Sequence, residues 1–144
     1  MEEKKCCTVI NNQYYGCCAH KGDEYSKDMY SFDETVIGTW VDSKPIYRKV
    51  ITGKLAIENS NKCTFANVSD LEIDKVINLY GNMVDKNKLF QVALSASINR
   101  PEGMYAAVNM YYGMETGEIY YSYLNNKGDY SGCTANVVIE YTKK

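Results

Sequence analysis

From Glu34 to the C-terminus the apolar residues never recur at helical spacing over a sustained stretch. They come instead as short β-branched and aromatic runs, "TVIGTWV", "PIYRKVI", "GKLAIE", "NKCTFANV", "MYAAVNMYYG", "EIYYSYLN" and "ANVVIEYTK", each bounded by Gly, Pro, Asn, Asp or Ser. A chain punctuated this way cannot build a helical bundle, because no segment offers a stripe that one helix could bury against another. It predicts antiparallel strands joined by tight turns. At 144 residues the chain has the length of one ordinary domain, able to bury roughly 70% of the surface its unfolded form exposes. The expected fold is all-β, a single antiparallel β-sandwich over residues 33–144, preceded by a short irregular N-terminal arm over residues 1–32.

The individual elements can be placed. "TVIGTWV" and "PIYRKVI" form a β-turn-β unit through Asp42-Ser43-Lys44, with Pro45 opening the second strand, a position that asks for no ladder N–H. "GKLAIE" reads as a separate strand. Ser69-Asp70-Leu71-Glu72 predicts a short helical turn, and the β-branched "KVINLYGNMV" a strand. "KLFQVALSASI" reads as one strand, ended by the loop from Asn99 to Gly103. Met114-Glu115-Thr116-Gly117 predicts a hairpin loop, with Gly117 supplying the positive φ.

Residues 1–32 are polar, cysteine-dotted and weakly periodic, and "KGDEYSKDMYS" closes them with turn and charge signals. They read as an attachment arm. The chain's cysteines fall as Cys6-Cys7, Cys17-Cys18, Cys63 and Cys133, with His20 the only histidine. Vicinal cysteines do not match the spacing by which paired thiolates share a zinc ion, so no metal is expected and the thiols read as reduced. Cys63 and Cys133 suit small, strand-facing core positions. A formal net charge of -2 without a basic stripe gives no footprint for nucleic acid. No run reaches the roughly 18 apolar residues that span a bilayer, and the polar first thirty residues lack the apolar core of a secretory signal. A soluble chain that is not exported by the usual route is expected.

The aromatic residues are skewed, with 14 Tyr against 3 Phe and 1 Trp. On the predicted hairpin, alternation puts Ile119, Tyr121 and Tyr123 on one face and Tyr120, Ser122 and Leu124 on the other, so both faces carry aromatics. Such a surface suits a subunit interface or a sugar platform, since tyrosine joins a large apolar ring to a hydroxyl. The expected glycan site combines Tyr111, Tyr121 and Tyr130 as stacking rings with Asn126, Lys127 and Asp129 as polar partners. Trp40, Asp42, Pro45, Tyr112 and Tyr120 are the expected trimer-interface or structural anchors. There is no G-x-S-x-G, no phosphate-cradling glycine loop and no H-E-x-x-H, and no cofactor is expected; the chain does not read as an enzyme.

Three segments in order carry a family resemblance. "YSFDETVIGTWVDSKPIYRKVI" resembles "Y-S-x-x-E-x-V-I-G-x-W-x-D-G-K-P-I-Y-x-K", "SDLEIDKVINLYG" resembles "I-S-N-I-D-x-I-I-x-I-x-G", and "GDYSGCTANVVIEYTKK" resembles "S-x-Y-x-A-Y-V-T-L-x-Y-T-K". These patterns belong to the C-terminal domain of tail-fibre, baseplate and head-fibre structural proteins of bacteriophages infecting Gram-positive, Firmicutes-type hosts. The resemblance covers residues 30–144 and departs at Ser43, where that family has Gly. It implies a virion protein exposed on the particle surface, a homotrimer of β-sandwich heads bound to other virion proteins through residues 1–32. As a fibre tip it would contact host cell-wall carbohydrate. Since only the short arm precedes the domain, the alternative implied is a capsid or baseplate decoration subunit with a purely structural role.

Overall fold

The computed structural model describes residues 8–10, 13–15, 30–56, 60–100, 103–125 and 132–144. Two short strands in the arm, β1 (Thr8–Ile10) and β2 (Gln13–Tyr15), pair antiparallel, where the sequence suggested only irregular chain. The remaining strands form two antiparallel sheets. One contains, in spatial order, β3 (Thr35–Thr39), β4 (Pro45–Lys54), β11 (Thr134–Lys143), β6 (Ile73–Val84) and β7 (Gln91–Ala93). The other contains β5 (Ser60–Asn67), β10 (Glu118–Asn125), β9 (Gly103–Gly113) and β8 (Ala96–Arg100). Packed face to face they make the expected β-sandwich.

Alternation decides what lies between the sheets. From the central strand β11, Ala135, Val137, Ile139 and Tyr141 point inward and are fully buried. Ile119, Tyr121 and Tyr123 of β10 face them, with Met83 of β6 and Val108 of β9 filling the gaps. Cys133 is buried and Cys63 half-buried, both as free thiols. Ser69–Leu71 makes the expected helical turn, of 3-10 type, and tucks Leu71 under the sandwich.

Three boundaries differ from the sequence reading. Gly53 does not separate two strands; β4 runs through it, paired with Ala135, because the missing side chain leaves room for the Phe65 ring, 3.0 Å from where a Cβ would stand. "KLFQVALSASI" is two strands in different sheets, β7 beside β6 and β8 beside β9. The crossing occurs at buried Leu94, whose N–H donates to Gly81 O at 3.0 Å, and Ser95, whose φ of 61° is left-handed. A continuous apolar run hides such a corner, since strand propensity does not say which sheet a strand joins. Tyr30 and Ser31 also belong with the sandwich rather than the arm: the Val50 N–H donates to Ser31 O at 2.8 Å, extending the outer edge of β4.

Candidate functional site

The turn after β3 holds the expected anchors. The Trp40 N–H donates to Lys44 O at 2.8 Å, the Ser43 N–H to Trp40 O at 2.9 Å, and the Lys44 N–H to the Asp42 carboxylate at 3.1 Å. Asp42 therefore caps the turn, and Pro45 follows as the first residue of β4. Ser43 adopts a φ of 69°, the left-handed conformation for which glycine is the usual residue. Trp40 is half-buried, with the Lys75 ammonium 5.9 Å from its ring centroid, and Lys44 is bonded to Asp74 on β6.

The β9–β10 hairpin forms with Gly117 at a φ of 67°. Its tyrosines divide by face. Tyr121, at 3% exposure, lies in the core, and its hydroxyl accepts the Ala56 N–H at 2.7 Å, so it cannot stack on a sugar. Tyr112 is half-buried against the same core, and burial raises its phenol pKa. Tyr120 is buried on the opposite face, beneath the Lys62 ammonium and beside Tyr111, with ring centroids 5.6 Å apart, and its hydroxyl bonds to Thr116 and Glu118. Tyr111 alone of these keeps an exposed ring edge. Asn126, Lys127, Asp129 and Tyr130 lie outside the described residues. On β10 Tyr120, the partner of Tyr111, and Asn125 are five positions apart, about 17 Å of strand.

A different constellation lies on the outer face of the five-stranded sheet. Register stacks three transverse rows there: Arg48–Glu140–Asn78, Val50–Val138–Tyr80, and Thr52–Asn136–Asn82. In the first, Arg48 Nε and Nη2 both approach Glu140 Oε1 at 2.8 Å, and Asn78 Nδ2 donates to Glu140 Oε2 at 2.7 Å. Burial alone would raise the Glu140 pKa, but hydrogen bonds from Asn78, Arg48 and Tyr80 hold it below the ordinary carboxylate value. The Tyr80 hydroxyl donates to Glu140 Oε1 at 3.1 Å and sits 3.3 Å from the Tyr30 hydroxyl. Burial first, and these two neighbours next, push the Tyr80 phenol pKa far up, so it stays protonated. The Arg48 guanidinium lies 4.7 Å from the Tyr30 ring centroid, clamping that ring over the sheet. In the third row Thr52 Oγ1 donates to Asn136 Oδ1 at 2.9 Å and Asn136 Nδ2 to Asn82 Oδ1 at 3.1 Å.

Between these rows opens a groove of about 460 Å³, with Val50 and Val138 as floor, Tyr30 and Tyr80 as one wall, and Asn82 and Asn136 at the far side. A sugar site needs these parts: an apolar platform, aromatic rings and a few placed amides. The sequence reading passed over it. Asn78-x-Tyr80-x-Asn82 is a period-2 stripe on one face of a strand, a legible signal, but its partners on β4 and β11 are distant in sequence. A second hollow, of about 350 Å³, lies where the sheets open between Val76 and Leu79 of β6 and Met110 and Tyr112 of β9, with Tyr111 and Met114 at its rim. Here β8 reaches only to Ala96, opposite Val108, so that among the described residues the β9 edge from Asn109 onward has no strand partner on that side.

Among the described residues no group of His, Cys, Asp and Glu side chains is placed to hold a metal ion, and no helix is long and apolar enough to cross a membrane. No protein-family model, no curated protein and no solved structure matches the chain.

Proposed function

We propose that the chain is a bacteriophage virion subunit, a short trimeric fibre head or tip that contacts carbohydrate on the host cell surface. The observation that carries the carbohydrate part is the outer-face groove, where the Tyr30 and Tyr80 rings stand beside the Asn82 and Asn136 amides over an apolar floor. The virion part rests on the resemblance of residues 30–144 to phage fibre and baseplate domains. In this reading residues 1–32 attach the head to other virion proteins, and the sandwich is exposed on the particle. One groove binds weakly, but three copies on one trimer gain roughly 10²-fold or more when they engage together.

The test is adsorption. Tyr80→Ala removes one wall of the groove from a partly exposed position, and particles carrying it should adsorb to host cells at least about tenfold more slowly, with unchanged oligomer mass. Normal adsorption would leave the second reading, a capsid or baseplate decoration subunit. That reading asks only for a surface that meets other chains, which the β9 edge supplies, since among the described residues it has no strand partner beside exposed Tyr111 and Met114.

A further inference from the structure

We infer that the outer-face groove selects an uncharged, N-acetylated hexosamine over plain or amino sugars; this rests on the carbohydrate reading above. Its charge is closed. The charged groups that touch the two tyrosines, Arg48 and Glu140, are paired with each other at 2.8 Å, so among the described residues the groove offers neither a free cation for a phosphate or carboxylate nor a free anion for an ammonium.

Its open hydrogen-bonding capacity leans to donation. The Thr52–Asn136–Asn82 chain of bonds uses both amide oxygens as acceptors. Among the described residues, no partner takes the two N–H groups of Asn82 Nδ2 or the second N–H of Asn136 Nδ2. A ligand that satisfies them must present a strong acceptor. An acetamido carbonyl does so better than a hydroxyl, and its methyl group is apolar. Val50 and Val138 lie one row away from the amides, where such a methyl would rest, while Tyr80 in the same row offers its ring to the sugar's apolar face. A plain hexose leaves the methyl pocket empty, and a glucosamine puts a cation against three N–H donors.

The experiment titrates the full chain, by calorimetry and by saturation-transfer NMR, with three trisaccharides of the same linkage: N-acetylglucosamine, glucose and glucosamine. The N-acetylated compound should bind at least about tenfold more tightly than the other two. Asn82→Asp keeps the shape and the oxygen that accepts from Asn136 but replaces the donors, so it should erase that preference while its thermal unfolding stays close to that of the parent chain. Equal binding of all three sugars by the parent chain overturns the acetamido assignment and leaves the carbohydrate reading intact. Binding of none of them overturns both.

Discussion

Ser43 and Thr142 show how single positions depart from what their surroundings ask for. Ser43 holds a φ of 69° in the turn that Asp42 caps. A non-glycine residue there costs roughly 1 kcal/mol, partly offset by the greater freedom glycine has when unfolded. Ser43→Gly should therefore raise stability by about 0.5 kcal/mol in urea denaturation. Thr142 is buried on the outer face of β11, and its hydroxyl has no hydrogen-bond partner among the described residues. An unpaired buried hydroxyl costs stability that an apolar group of the same shape does not. Thr142→Val should be neutral or stabilising, by up to about 1 kcal/mol; a clear loss on thermal unfolding would mean that the hydroxyl has a partner.

At the level of elements, β11 ties the five-stranded sheet together with β4 on one side and β6 on the other. Its outer face carries a buried carboxylate. Glu140 is mostly buried, and its charge is balanced by Arg48, Asn78 and Tyr80 from the two flanking strands. Removing one partner of such a pair leaves the other unpaired, so Glu140→Gln should cost about 3 kcal/mol at neutral pH. The sign with pH follows from the lowered pKa. Protons bind less readily to folded Glu140 than to an ordinary carboxylate of pKa 4.5, so its stabilisation is present above that value and lost as pH falls through the folded one. Glu34, held down against burial by Lys143 and Tyr141, acts in the same direction. Chemical denaturation between pH 7 and pH 3 should thus show stability falling below about pH 4.5, with a shallower fall in Glu140→Gln that does not vanish.

For the whole molecule, the question is what meets the open side of the sandwich. Met114 is 78% exposed and Tyr111 42%, beside a stretch of β9 that has no strand partner on one side among the described residues and a hollow lined by Leu79 and Met110. A second copy laid there would cover apolar surface and satisfy edge groups together. The proposed trimer should appear in light scattering at micromolar concentration as three chain masses. Tyr111→Lys with Met114→Lys, both at exposed positions, should shift it to monomer without unfolding it; a parent chain that is monomeric would count against the trimer.

The sequence by itself determined the class of fold and most of the strands, because alternation and turn chemistry act within a few residues. "ANVVIEYTK" had to bury one face, Gly117 and Pro45 had to mark their turns, and Ile119, Tyr121 and Tyr123 had to share a face. It also showed that the hairpin tyrosines lie on two faces, but not that Tyr121 lies on the face turned to the core, since that depends on which face meets the second sheet. Only the tertiary structure decided where "KLFQVALSASI" changes sheets, and that Tyr30 folds over β4. It alone made the groove. Val50, Tyr80 and Val138 meet through strand register across three strands, and register is set by pairings between distant segments that no local pattern specifies.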